Sequence, residues 1–430
     1  MIALTIVVAL VAALTLCHSL FLLTMMLYAW DDPDRLEAAK GPSALDKPRL
    51  RFTVLLPARS EETVIAETIL RVWRARYPRE LLEIVVICQR GDSATIAAVE
   101  AQIAELGGDG VRLETYDDAP FNKPHALQVG YHASTGEVLA VFDAEDDVDS
   151  DIFGVVNTMM GQQGVGVVQG AVQLMNVGDH WFAPFNCLEY FFHYQSRLHF
   201  YARVGMVPLG GNTVFIRRDL VDRVGGWDVT CLTEDADIGM RISALGEPIA
   251  VVSDSRWATR EETPHSVDAF VRQRTRWHQG FLQILARGVW LRLPSRRCRL
   301  LALITLSQPI IDAALLVCAV LLPLSLLFLK LPDAVALLTF MPLYALAMQL
   351  LANLVGVVLL ARKFAVRVPI RTVLAMPITY LPYQWMVAFS ALRALLRCTL
   401  RQLEWEKTEH LGAHRRAAVI ELAPQEAAGT

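Results

Sequence analysis

An uncharged apolar run from Ile2 to Tyr28 constrains this chain more than any other feature, because it exceeds the ~20 residues a helix needs to cross a hydrocarbon layer. A secretory signal would be shorter, would begin with a positive n-region and would end at a small-residue cleavage site. The run is therefore read as an uncleaved anchor, residues 1–30. Three more apolar blocks lie towards the other end: one after Arg299 as far as Leu329, one from Val335 to Leu360, and one within Val373 to Leu396. Together they define a membrane region, 299–398. The soluble fold must be built from the sequence between anchor and blocks. With 54% hydrophobic and 20% charged residues, the whole has the balance of a membrane protein with a soluble part.

Basic flanks set the expected orientation, since short loops rich in Lys and Arg stay on the cytoplasmic side. Arg292, Arg296, Arg297 and Arg299 precede the second block, and Arg362, Lys363, Arg367 and Arg371 follow the third. Both flanks point inward, so the expectation is a multi-pass protein of the inner (plasma) membrane with its soluble domain in the cytoplasm. Only Lys330 to Asp333 would lie outside. A fully spanning fourth block would put the tail 399–430 outside, against the basic residues Arg393, Arg397 and Arg401. Pro369, Pro377 and Pro382 interrupt that block, so part of it lying along the interface or re-entering is the other reading.

The net charge of -4 and the absence of basic runs with interleaved aromatics exclude a nucleic-acid partner. Seven cysteines (Cys17, Cys88, Cys187, Cys231, Cys298, Cys318, Cys398) are scattered without Cys-x-x-Cys spacing and read as reduced thiols. The histidines show no zinc spacing.

Within the soluble part, Arg51 to Pro57, Leu82 to Cys88 and Glu137 to Phe142 have strand patterns, and Glu61 to Arg76 and Ala94 to Leu106 have helical ones. Strands alternating with helices imply an α/β domain with a mostly parallel sheet over 50–260, and ligands then sit beyond the C-terminal strand ends. Asp143 falls at such an end. Asp143-Ala144-Glu145 offers two carboxylates two residues apart for a hard divalent cation, or a solvated acidic loop. Thr233-Glu234-Asp235 precedes a helical pattern that runs through Ile238 to Leu245. Gln273, Arg276 and Trp277 stand at i, i+3 and i+4, on one face of an amphipathic interfacial helix placed at 264–290. Arg suits phosphate and Trp a pyranose face. Trp227, after Gly225-Gly226, either packs a sugar or fills core.

Two acidic clusters followed by Gln-x-x-Arg-Trp, all ahead of C-terminal spans, resemble an inverting membrane glycosyltransferase of family 2, the group of bacterial cellulose, hyaluronan and poly-N-acetylglucosamine synthases. The resemblance implies a GT-A-like fold with one N-terminal and about three C-terminal transmembrane or interfacial segments. It makes Asp235 the general base beside Glu234, and sets Trp277 at the acceptor end with Gln273 and Arg276 near the donor diphosphate. Pro57, Ala58, Arg59 and Glu61 would contact the nucleoside, with Ser60 where the family has Asn. Asp92 would stand in for a base-reading Asp, Lys123 would lie near the phosphates, and Asp143 and Glu145 would hold Mg²⁺ or Mn²⁺, Glu145 replacing the family's usual Asp. The segment Trp405-Glu406-Lys407-Thr408-Glu409-His410 resembles a gating loop, with Lys407 for the diphosphate; an amphipathic juxtamembrane helix is the other reading.

The implied activity is transfer of a sugar from a nucleotide sugar, expected to be a UDP-hexose, to a growing β-linked polysaccharide with coupled translocation. Transfer of one sugar to a lipid acceptor is the alternative, and a non-enzymatic scaffold the third reading. The expected partners are the donor, a polysaccharide or lipid acceptor, and the bilayer.

Overall fold

The computed structural model describes residues 2–406 together with Gly412 and Arg415. Nine strands form: β1 (Phe52–Ala58), β2 (Leu82–Gln89), β3 (Val111–Tyr116), β4 (Val138–Val141), β5 (Val167–Gly170), β6 (Val172–Leu174), β7 (Val214–Arg217), β8 (Ile249–Val252) and β9 (Thr259–Glu261). Seven of them make one sheet in the order β3-β2-β1-β4-β7-β5-β8, and β6 pairs with β9 in a second, parallel sheet. In the large sheet all pairings are parallel except those of β7, which runs antiparallel to both β4 and β5.

Successive strand residues point to opposite faces, and both faces are apolar. Val54, Leu56, Ile84, Val86, Val138 and Phe215 pack under the helices Ile65–Trp73 and Ile152–Gln163. Leu55, Val85, Ile87, Leu139 and Ile216 join the opposite layer, which includes Leu127 of the helix Lys123–Ala133 and Ile238 of the helix Glu234–Ala244. That second layer runs without interruption to Met25, Leu360 and Tyr383 of the apolar helices, so the soluble domain and the apolar region share one core. The helix expected from Glu61 begins only at Ile65, because Ser60 is held at φ 53 and the chain turns before it coils.

Among the described residues, three helices are long and apolar enough to cross a membrane: Ile2–Asp31, Gln308–Phe328 and Asp333–Phe364. The block read as one run after Arg299 is in fact two helices, Arg296–Leu306 and Gln308–Phe328. Pro309 supplies no backbone N–H and its ring crowds the carbonyl four residues earlier, so the helix restarts there. The fourth block forms a 30-residue helix, Ile370–Thr399, that is not among the three. Ile370, Leu374, Ile378, Trp385 and Phe389 are exposed along one side, while Met376, Tyr380, Tyr383 and Ala391 are buried on the other. Both of its ends meet the soluble domain: Pro369 packs on Gly178, and the Gln402 carbonyl just past its last turn accepts from Gln279 Nε2 at 2.8 Å. The described cysteines are all unbridged, Cys17 exposed and Cys88, Cys187, Cys231 and Cys298 buried.

Candidate active site

The loops that leave β1 and β4 at their C-terminal ends, the start of the helix Lys123–Ala133, and the face of the helix Val267–Arg287 enclose one cavity of about 500 Å³. Pro57, Ala58, Arg59, Glu61, Lys123, Asp143, Glu145, Glu234, Asp235, Gln273, Arg276 and Trp277 all line it. These positions span more than two hundred residues of sequence, and the parallel strand ends bring them to one edge.

Lys123 is placed by its helix start, where Asn122 caps by accepting from His125 N at 3.0 Å. Its ammonium donates to Gly211 O at 2.8 Å, pairs with Asp143 and lies 4.0 Å from Glu234. Asp146 shapes the Asp143 loop from beneath. It is fully buried, accepts from Asp143 N at 2.8 Å, and its two oxygens accept from Asn212 Nδ2 at 2.8 and 3.0 Å. Asn212 also donates to Glu261. Burial, with Glu261, Asp143 and Glu145 close by, pushes the Asp146 carboxyl well above the usual range.

The helix Glu234–Ala244 follows Thr233, yet the Thr233 side chain makes no cap hydrogen bond. It packs instead against Gly280, which follows Gln273, Arg276 and Trp277 on the same helix face at i+7. Asp235 Oδ1 accepts from Ala236 N at 2.8 Å, and Oδ2 faces Gly211 and the Lys123 ammonium. Burial raises the Asp235 pKa, and burial with the Asp235 charge pushes Glu234 up to about 8 against the pull of Lys123. The folded state therefore binds a proton here that the unfolded chain releases near 4.5. Stability from this site is present below pH 4.5 and is lost as pH rises towards 8. Each unit in that window costs at most ~1.4 kcal/mol. Thermal midpoints of the ligand-free protein should fall between pH 5.5 and 7.5, and Glu234→Gln should flatten that fall; equal slopes in both proteins would remove Glu234 as its source.

Buried in the helix Val267–Arg287, the Gln273 Oε1 and Arg276 Nε atoms have no hydrogen-bond partner among the described residues. Such atoms are costly to bury unless a ligand answers them. The Arg276 guanidinium also lies over the Trp405 ring, 4.3 Å from its centroid, and Trp405 lines the cavity. Arg393 and Arg397 hold the neighbouring Glu406. Lys407 lies outside the described residues.

Asp92 is not in the cavity lining. It caps the helix Ser93–Glu105 and accepts from Ser60 N at 2.5 Å, so it shapes the β1 loop. Trp227 is buried against Tyr131 and belongs to the core. The contacts of Glu261, Asn212 and the pair Arg274–Glu189, with Arg274 4.5 Å above the Trp277 ring, are not legible in the sequence. Asn212 stands out there only within Gly210-Gly211-Asn212-Thr213 and Arg274 only as the residue after Gln273, because their partners are remote in sequence.

Among the described residues no three His, Cys, Asp or Glu side chains converge as a metal cage. Asp143 and Glu145 nevertheless both face the cavity, and Mg²⁺ or Mn²⁺ commonly takes only one or two carboxylates, completing its shell with phosphate oxygens and water. The donor set fits such an ion.

The sequence pattern of the family described as "Glycosyltransferase like family 2" matches residues 48–280. A probable glycosyltransferase, YdaM, of Bacillus subtilis is 27% identical over 54% of this chain and 55% of its own length. A beta-monoglucosyldiacylglycerol synthase of Trichormus variabilis is 27% identical over 54% of this chain and 49% of its own. The chain thus spans about half the length of these curated relatives. Among solved structures, the mannosyltransferase PcManGT of Pyrobaculum calidifontis, in complex with GDP-Man and Mn²⁺, superposes with a TM-score of 0.59 at 21% identity, over 90% of this chain and 99% of that one. At that identity the likeness shows the fold, a GT-A fold with added apolar helices.

Proposed function

The chain belongs to glycosyltransferase-like family 2, and from that premise we propose that it is a membrane-embedded, inverting hexosyltransferase that moves one sugar from a nucleotide sugar to a lipid acceptor. The observation that carries this reading is the continuity of the cavity: it begins at Asp143 and Lys123 and reaches Phe21, Leu22 and Met25 of the N-terminal apolar helix and Gln308 and Asp312 of another. An acceptor held by its acyl chains among those helices meets the carboxylates from the membrane side. The beta-monoglucosyldiacylglycerol synthase among the relatives supports the lipid acceptor over the polysaccharide. Polymer formation stays as the second reading, favoured by Trp405 seated over Arg276 like the anchor of a lid.

In this reading Asp235 accepts the proton of the acceptor hydroxyl as its oxygen bonds the anomeric carbon and the carbon–oxygen bond to the diphosphate breaks on the opposite face. Lys123 and Arg276 bring positive charge to the leaving nucleoside diphosphate. Gln273 orients the donor and Trp277 offers a ring face to the sugar. A divalent cation on Asp143 and Glu145 would neutralise further diphosphate charge when bound. The apolar helices Ile2–Asp31, Gln308–Phe328 and Asp333–Phe364 cross the bilayer, the helix Ile370–Thr399 lies along the interface, and the domain faces the cytoplasm with the basic flanks.

Sizing the product decides between the readings. Protein in mixed micelles, given labelled nucleotide hexose and diacylglycerol, should yield a lipid carrying one sugar; long sugar chains would overturn the proposal. Asp143→Ala should weaken nucleotide binding in the presence of Mg²⁺ or Mn²⁺ by ~10-fold, the loss of one charged ligand. Titration calorimetry with and without chelator reads this, and equal affinities in all four conditions would make the Asp143 loop a mere surface turn.

A further inference from the structure

Asp312 and Gln308 lie in the first turns of an apolar helix, yet both line the cavity that holds Asp235. Gln308 Nε2 donates to Asp312 Oδ1 at 2.6 Å and stands 3.2 Å from Nε2 of His18 on the N-terminal helix. A carboxylate, an amide and an imidazole among apolar helices are expensive to keep, and such groups mark a functional path when they face an interior. Across the cavity lies the stretch Ala183–Val204, interrupted by a π-turn at His193–Arg197. Glu189, Tyr190, Tyr194 and Arg197 from this stretch face the same space. π-turns recur at ligand sites because they rotate side chains out of the regular register.

Charge selects the ligand. Arg274 is paired with Glu189, and Arg197 lines the same space as Asp312. Glu189 and Asp312 both line this end of the cavity, so a lipid phosphate there would sit beside two carboxyl groups. An uncharged hydroxyl can instead donate to the Asp312 carboxylate. Asp312 lies four residues past Gln308, ~6 Å along the helix axis. Phe21, Leu22, Met25 and Ile304 supply apolar wall beside it.

We infer that Gln308 and Asp312, with His18 set behind Gln308, form an acceptor subsite that takes the hydroxyl end of an uncharged lipid and rejects lipid phosphates. This deepens the lipid-acceptor reading and rests on it. The test uses the full-length protein in mixed micelles with a nucleotide hexose, diacylglycerol as acceptor and phosphatidic acid of the same acyl chains as competitor. Asp312→Asn should raise the KM for diacylglycerol by ~10-fold, the loss of one hydrogen bond to a charged group, and should turn phosphatidic acid from a poor into an effective inhibitor. Affinity for the nucleoside diphosphate, measured separately, should not move. Gln308→Met, which releases Asp312 without touching its charge, should raise the acceptor KM but leave phosphatidic acid a poor inhibitor, and it carries the test if Asp312→Asn does not accumulate. A lipid product with unchanged acceptor KM in the variants overturns the subsite alone. Equal loss of nucleotide affinity shows general damage and also overturns it. Polymer, or no lipid product, from the native protein overturns the lipid-acceptor reading and the subsite with it.

Discussion

Replacing Asp235 by Asn is expected to lower turnover by ~10²-fold or more while nucleotide affinity is kept. The asparagine has the same shape and can still accept from Ala236 N, so the start of the helix Glu234–Ala244 survives. What is lost is the charge and basicity of the oxygen that faces Gly211 and the Lys123 ammonium. The donor contacts proposed for Arg59, Glu61 and Gln273 come from other elements that line the cavity, so binding of the nucleoside diphosphate should not weaken. Steady-state turnover with saturating acceptor, beside calorimetric nucleotide affinity, separates the two effects. Near-normal turnover would remove Asp235 as the base.

Gly280→Ala is the second large effect expected, although helix propensity argues the other way. Ala in a helix interior is favoured over Gly by ~1 kcal/mol. Here, however, the new Cβ would overlap the Thr233 side chain, with Cγ2 at 2.5 Å and Cβ at 2.7 Å. Thr233 is buried and its backbone leads directly into Glu234 and Asp235, so it has nowhere to turn. Overpacking of this kind costs ~1–3 kcal/mol, which outweighs the propensity gain. The helix Val267–Arg287 must then shift from the carboxylates, and a ~1 Å misplacement of reacting groups costs ~10²-fold in rate. Gly161, also helical, has nothing within 4 Å of such a Cβ, so Gly161→Ala should be neutral or stabilising. Comparing turnover and thermal midpoint of the two variants tests the packing argument. If Gly280→Ala keeps full activity, the close approach of the two motifs does not position the site.

Local pattern was enough for the strands β1, β2 and β4, because a buried parallel strand needs an unbroken apolar run and little else does. It also sufficed for the N-terminal apolar helix, which is long and apolar enough to cross a membrane. The acidic clusters and Gln273, Arg276 and Trp277 were legible as short motifs, since helical spacing sets which of them share a face. Asp92 was legible only in part, because an Asp before a helix reads alike whether it caps that helix or meets a ligand, and its hold on Ser60 leaves no local trace. Trp227 was undecided for the same reason: an indole suits a sugar or a core, and the position of Tyr131 settles it.

By itself, then, the sequence determined what is periodic or contiguous: the α/β alternation, the apolar helices, and the residue types at the strand ends and on the Val267–Arg287 face. Only the tertiary structure decided what depends on remote partners. It inserted β7 antiparallel between β4 and β5, bound Asp146 to Asn212, and set Thr233 against Gly280. It also laid the helix Ile370–Thr399 back onto the domain and brought His18 to Gln308 across 290 residues. Contacts of that range leave no period or spacing in a single chain, because the free energy that selects them comes from burying both partners in one core, and neither partner's neighbours record it.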